Sequence, residues 1–480
     1  MGPHGVCAAF SFGTTELKSC RPRSAPTRNL TMASTTHPDA FHFHRPVNSY
    51  WEASARPLSI ECPPLTADTH CDVAIIGAGY TGLHTALALA EDHAMDARIL
   101  EAGQPGWGAS GRNGGFCCLG GAKLTWSEIA KRYGLDEAKR FLSAQIDAVD
   151  FVRETCRRFA IDVGAGETGE LTLAHKPNRV AELRADLASM KETFGLDGEL
   201  LSRHDLHSLG ASGPEFHAGL RGPHGFGIHP LDYARGLTAA AKSKGVEIHG
   251  NSRVVRWEQG TSGHRLTTEA GAVLRARYVV FATNGYTPED LSPYHRGRLM
   301  PALSSIIVTR PLSPSEQQAQ GWTTGLLAFD TRNLLHYFRL LPDGRFLFGG
   351  RGGTNAANAA DGRLEGRLRA HFNALFPAWS GVEHTHFWKG FVCLAYDLVP
   401  FVGALDEKRS VWTALAYHGN GVSMASYSGK ALAAMIAGHP ERVPLSTVMT
   451  RRLAPFPLSA LRPLYLKGAY AWFDAQDRWL

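Results

Sequence analysis

The stretch Cys71-Asp-Val-Ala-Ile-Ile-Gly-Ala-Gly-Tyr-Thr-Gly82 decides the fold. An apolar run enters Gly77-x-Gly79-x-x-Gly82. A helical pattern follows from Leu83 to Ala90, and a second short strand pattern, Ala97 to Leu100, ends at Glu101. Strand, glycines, helix, strand and acid in this order mark a dinucleotide site. Gly77 permits the tight turn, Gly79 lets backbone approach a pyrophosphate, and Gly82 lets the helix lie close to the strand. The helix N-terminus offers free amides and partial positive charge to phosphates. Ala78, Tyr80 and Thr81 complete this turn, and Glu101, followed by Ala102, is placed to accept hydrogen bonds from ribose hydroxyls. A glycine-rich turn without a ligand is the plain alternative, and the acid about twenty residues on argues against it.

Further along, the same pattern returns. Val411-Trp-Thr-Ala-Leu-Ala-Tyr417 reads as a buried strand entering His418-Gly-Asn-Gly-Val422, which opens a helix from Ser423 to Ile436. This second strand-glycine-helix unit comes about 340 residues after the first. Between them, a helix (Leu231 to Lys244), strands at Gly245 to His249 and Arg253 to Trp257, and the buried strand Arg277 to Thr283 belong with the nucleotide units. Two intervening stretches differ in character. Residues 166–228 mix short strands with a polar helix, Asn178 to Phe194. Residues 300–394 alternate as strands (Ser304 to Thr309, Leu334 to Leu341, Arg345 to Phe348, Glu383 to Leu394), with Pro342-Asp-Gly344 as a hairpin turn.

The expected class is therefore α/β: a discontinuous Rossmann-like domain with an inserted, mainly antiparallel-sheet substrate domain (α+β). Its nucleotide-binding parts are residues 48–165, 229–299 and 395–480, the last including a C-terminal tail. The inserted parts are 166–228 and 300–394. Residues 1–47 are expected to be a disordered extension, and residues 33–70 read as a Pro-rich arm with Tyr50 and Trp51 as anchors onto the body.

With 480 residues, the chain is too long for one ordinary core. A hydrophobic content of 44% with 20% charged residues describes a globular protein, and no apolar run is long enough to span a bilayer. The net charge of +6 is spread along the chain, so no nucleic-acid footprint is expected. Eight cysteines without a CxxC pair, and histidines without HExxH spacing, argue against a metal centre or a disulfide scaffold. A reducing, cytoplasmic location is expected. Residues 1–31 are Arg- and Ser-rich with one acid, as transit peptides are, although a start at Met32 is the plainer expectation.

After Glu101 the chain reads Gly103, Gly106, then Gly108-Ala-Ser110-Gly111-Arg112-Asn113-Gly114-Gly115. Such a segment suits backbone threaded against a flat ligand, with Ser110, Arg112 and Asn113 as polar contacts. These pieces, with Val280-Phe-Ala-Thr283-Asn284-Gly285 and Tyr417 to Val422, resemble the FAD-dependent D-amino-acid-oxidase superfamily, and among its members the gamma-glutamylputrescine oxidases and their relatives. The resemblance spans about residues 48 to 475 and includes Ser49-Tyr-Trp and Tyr337-Phe-Arg339.

It implies FAD, held by Glu101 at the adenine ribose, by Gly77 to Gly82 at the pyrophosphate and by the Val254 backbone near the adenine. Ser110 to Gly115, with Thr283 and Asn284, would lie along the cofactor. Gly419, Asn420, Gly421 and Val422 would give amides to the pyrimidine edge, where charge gathers on reduction. The implied reaction is oxidation of a carbon–nitrogen bond of a small amine, by hydride transfer to flavin N5. Imine hydrolysis follows, and O2 or an electron carrier restores the cofactor. A dehydrogenase for D-amino acids that passes electrons to a quinone is the alternative. A flavin-binding silent subunit and a nucleic-acid-modifying scaffold rank below both.

Many amino-acid oxidases of this superfamily carry Gly-Leu-Arg-Pro before an Asp-x-x-Pro-x-x-Gly strand, and that arginine can grip a substrate carboxylate. Here the corresponding stretch begins Gly390-Phe-Val392-Cys393, with Val392 at the arginine position. An amine without a neighbouring carboxylate therefore fits better. Tyr337, Arg339, Tyr286 and His418 are the pocket candidates, with Arg339 reaching a distal carboxylate. A solvent-facing strand pair is the plain alternative for Tyr337 and Arg339. Non-covalent FAD is favoured over a link at Cys393.

Overall fold

Strand Thr69–Ile76 sits in the middle of an eight-stranded sheet, flanked by Ala97–Leu100 on one side and Val273–Phe281 on the other, both parallel to it. Glu247–His249 extends one edge. Val411–Leu415, parallel to Val273–Phe281, extends the other, followed by antiparallel Phe401–Ala404. The chain leaves Thr69–Ile76 toward one edge and later returns on its opposite side. That reversal opens a crevice at the carboxyl ends of the strands. Val73, Ala74 and Ile75 are wholly buried, as a strand covered on both faces requires. The helices Tyr80–His93 and Gly421–Ile436 cross against each other above the crevice. Gly429 permits the crossing, since a Cβ there would lie 2.6 Å from the Thr81 carbonyl oxygen.

A second sheet has nine strands. Its main order is His384–Ala395, Leu299–Thr309, Phe346–Gly353, His336–Leu340, Leu327–Asp330, Thr168–Leu173, Ala218–Gly227 and Phe116–Cys117. All its pairs are antiparallel except Leu327–Asp330 with Thr168–Leu173. Phe216, Trp322, Phe338, Phe346, Phe348, Phe376 and Trp379 pack behind it.

This computed structural model describes residues 37–58 and 60–479, which belong to one compact unit. The expectations for residues 1–31 and for a start at Met32 lie outside the described residues. No described helix is long and apolar enough to cross a membrane.

Three segments differ from the expected division. Residues 37–47, expected to be disordered, lie against the body: Phe43 packs 4.8 Å from the Trp107 ring, and Phe41 touches Tyr286 and Phe391. Phe116–Cys117, expected in the nucleotide part, joins the second sheet. The C-terminal helix Arg462–Trp479, expected with the nucleotide part, ties to the second sheet's side: Asp477 accepts backbone N–H bonds from Asn333 and Leu334, both 2.9 Å.

Candidate active site

Both glycine turns open into a single cleft of about 370 Å³ between the two sheets, within the range of small-ligand sites. At the first turn, Gly77 has φ +106°, and a Cβ at Gly82 would come closer to the Gly77 carbonyl oxygen than side-chain carbons ever do. Only glycine lets the helix approach. The Glu101 carboxylate is buried and fixed from both sides, by the Ala78 N–H at 2.7 Å and the Gly103 N–H at 2.9 Å. Burial raises its pKa, and the backbone donors oppose that rise.

Of the positions expected to hold the dinucleotide, Ala78, Gly82, Gly111 and Gly115 lie behind the cleft's lining, and the others border it. The loop after Glu101 is braced by two indoles: Trp51 donates to the Asn113 carbonyl and Trp388 to the Arg112 carbonyl, both at 2.8 Å. Trp51 is thus an anchor of the arm, as expected. The brace from Trp388 was not legible, because that strand is remote in sequence. Arg112 and Asn113 serve the loop itself. Arg112 Nε donates to the Trp107 carbonyl and its guanidinium stacks 3.8 Å above the Trp107 ring, while Asn113 accepts from the Gly115 N–H.

The second turn is shaped by left-handed backbone. The strand ends at Leu415, two residues sooner than expected, because Ala416 (φ +60°) and His418 (φ +52°) turn it toward the helix. Such conformations cost of order 1–3 kcal/mol and persist only where neighbours enforce them. Here Asn284 Oδ1 accepts the Ala416 N–H at 3.0 Å, which gives the Thr283–Asn284 turn its role. The helix at Gly421 starts without a side-chain cap, leaving amides open toward the cleft.

Two pocket candidates are reassigned. His418 borders the cleft, but both ring nitrogens are engaged: Nδ1 with the Gly121 carbonyl at 3.0 Å and Nε2 with the Ala395 N–H at 3.2 Å. Nδ1 must donate and Nε2 accept, so the ring is neutral. Burial, first of all, lowers its pKa to about 4. It pins the 118–123 loop to the sheet. Arg339 shares a sheet face with Tyr337, but Trp51 and Phe116 cover it, and it donates to the Ile228 carbonyl at 2.6 Å. It is buried outside the cleft's lining. Tyr337 and Tyr286 do border the cleft, and the Tyr337 hydroxyl meets Ser304 Oγ at 2.9 Å.

The family described as FAD dependent oxidoreductase (DAO) matches residues 72–435. The chain belongs to this family. Probable oxidoreductase OrdL of Rhizobium meliloti (strain 1021) is 30% identical over 439 residues, covering 90% of this chain and 98% of that protein. Gamma-glutamylputrescine oxidoreductase of Escherichia coli (strain K12) is 29% identical over 432 residues, with the same coverage. The crystal structure of glycine oxidase from Geobacillus kaustophilus shares the fold, with a TM-score of 0.65 at 20% identity over 80% of this chain and 99% of that one.

As a DAO-family member the protein is an FAD-dependent oxidoreductase acting on CH–NH or CH–NH2 bonds. Its cleft fits that cofactor: the glycine cradle has no room for a Cβ, a fixed carboxylate stands at the end of the second strand, and two helix N-termini face inward. Cys393 borders the cleft, yet burial pushes its thiol up to about 12, so it holds no thiolate for attack on a ring. Denaturing the yellow holoenzyme is expected to release all flavin into the soluble fraction. Colour retained on the precipitated chain would show a covalent bond instead.

Proposed function

We propose that the protein oxidises an alkylamine that carries no carboxylate on the reacting carbon, with O2 as the final electron acceptor. The observation that carries this reading is Val392, which borders the cleft at the position where relatives that grip an α-carboxylate hold arginine. Valine offers a carboxylate no hydrogen bond, and leaving one unpaired against an apolar wall is costly. Phe43, Tyr286 and Phe391 also line the cleft, which gives it an apolar wall suited to an alkyl chain.

Residues Gly77 to Thr81 would hold the FAD pyrophosphate, Glu101 the ribose, Val254 the adenine side, and Gly419 to Val422 the pyrimidine edge. When bound, FAD supplies the two-electron acceptor for the amine's C–H bond. The chain's own part is to present the amine in its neutral form. Among the described residues Glu101 is the only carboxylate bordering the cleft, and it is already engaged by backbone amides. No acid there is free to stabilise an ammonium ion. The apolar wall lowers an ammonium pKa by desolvation, and the cations Lys123 and Arg351 on the same lining lower it further by repulsion. Tyr337 and Ser304 form a small polar patch that can orient a nitrogen. Positioning then carries most of the rate.

The test is anaerobic mixing of the yellow protein with a panel of amines, followed by air. Acylated diamines such as gamma-glutamylputrescine are expected to bleach the flavin band faster than D-alanine, and air is expected to restore it with peroxide release. Preference for D-alanine would overturn the substrate reading, and colour returning only with a quinone would overturn the acceptor.

A further inference from the structure

Lys123 and Arg351 are cations on the cleft lining, and repelling an ammonium ion does not exhaust what they can do. They come from unrelated parts of the chain, Lys123 from the loop after Gly120-Gly121 and Arg351 from strand Phe346–Gly353. Both border the cleft. Among the described residues neither forms an ion pair. Arg351 makes one hydrogen bond, from Nη2 to the His418 carbonyl at 3.3 Å. The Lys123 side chain is accessible from the cleft, yet the protein packed around it, and then the Arg351 charge, hold its ammonium down at about 7. A lysine and an arginine on one cleft lining, with no acid paired to either among the described residues, have a place for an anion beside them.

We propose that Lys123 and Arg351 form an anion subsite that takes a substrate carboxylate placed several bonds from the reacting amine. This rests on the amine-oxidising reading and narrows its substrate class to amino-carboxylates with a remote acid.

The sheet register sets the separation. Ser304 pairs with Arg351 on one side and Gly390 on the other, while Val392 pairs with Ala302. Arg351 and Val392 therefore lie on one sheet face, two strand spacings and two residues apart, about 12 Å between backbones. An acid held by Arg351 is distant from the apolar position that an α-carboxylate would have to occupy. Lys123 and the guanidinium together suit a carboxylate, the first as a point charge and the second as a planar fork. The distal role expected of Arg339 thus falls to a different arginine, because Arg339 is sealed beneath Trp51.

The test uses oxidised holoenzyme and two unreactive probes of equal length, pentanoate and pentanamide, titrated by flavin absorbance and by calorimetry. Pentanoate is expected to bind at least ~10-fold more tightly than pentanamide, a gap of the size one charged contact produces. Arg351→Met and Lys123→Met are each expected to erase most of that gap, Arg351→Lys to keep part of it, and pentanamide affinity to stay level throughout. Equal binding of the two probes by the unmodified protein would overturn the proposal, and this comparison needs no variant to fold. So would variants that retain flavin and bind pentanoate normally, or that shift only the flavin midpoint potential, since the cations would then serve the cofactor. Failure of every amine to bleach the flavin, with Arg351-dependent pentanoate binding intact, would remove the amine-oxidising reading and leave the anion subsite standing.

Discussion

Gly82→Val is expected to give a colourless protein. A side chain at this position meets the Gly77 carbonyl oxygen, which is backbone and cannot swing aside. The helix Tyr80–His93 would have to retreat by about 1 Å, a shift that overpacked sites make at a cost of 1–3 kcal/mol. Its N-terminal amides would retreat with it, away from the place where phosphate charge must sit. Flavin content per chain, read from the absorption ratio after gel filtration, is expected to fall at least ~10-fold, the equivalent of about 1.4 kcal/mol in cofactor affinity. Gly366→Val is the control. A Cβ there, on the helix Asp361–Leu375, meets nothing within 4 Å. This variant is expected to stay yellow. If Gly82→Val were as yellow as Gly366→Val, the phosphate cradle would not lie at this turn.

Gly429→Leu is expected to lower stability and cofactor retention together, by a different route. Gly429 is the point where the two glycine helices touch: a Cβ there would lie 2.6 Å from the Thr81 carbonyl oxygen, 2.8 Å from His84 Cβ and 3.1 Å from the Thr85 amide nitrogen. The crossing is also latched by hydrogen bonds, Thr85 Oγ1 to the Gly429 carbonyl at 3.1 Å and, just before the second helix, Thr81 Oγ1 with the Tyr417 hydroxyl at 2.8 Å. Leucine would force the helices apart and strain both latches, at about 1–3 kcal/mol for the misfit alone. The thermal midpoint is expected to drop by several degrees. Unlike Gly82→Val, this variant keeps its phosphate turn, so excess FAD is expected to restore part of the loss, about 1.4 kcal/mol for each tenfold excess over Kd. A leucine variant with the parent's melting temperature and flavin content would show that the two helices do not need close contact.

Much of the nucleotide half was legible because its signals are local. Gly77, Gly79 and Gly82 lie within six residues of one another, and the strand and helix flanking them carry their own periodicity. The second turn at Gly419–Gly421 was found in the same way, and Trp51 was recognised as an anchor from its place in the arm. Features that depend on distant partners were read less well. Strand alternation correctly puts Tyr337 and Arg339 on one face. It cannot say that Trp51 covers one and leaves the other open. His418 stands beside a glycine motif, but its task is set by Gly121 and Ala395, neither near it in sequence. Lys123 and Arg351 carried no motif at all. Gly429 sits in an ordinary helical pattern, and its role follows only from the helix it meets. The docking of Phe41 and Phe43 was missed because polar, Pro-rich sequence around them masks two aromatic anchors.

The interleaved order of the first sheet also constrains how a new chain acquires its colour. Strand Thr69–Ile76 is made early, yet Val411–Leu415 and the helix Gly421–Ile436 are made about 340 residues later. At roughly 5–20 residues per second, a ribosome needs roughly 20–70 s to travel from one glycine turn to the other. Throughout that interval the nascent protein has half a grip on its cofactor. Loading therefore belongs to the finished polypeptide, and cells short of flavin would accumulate full-length, uncoloured chains rather than arrested fragments.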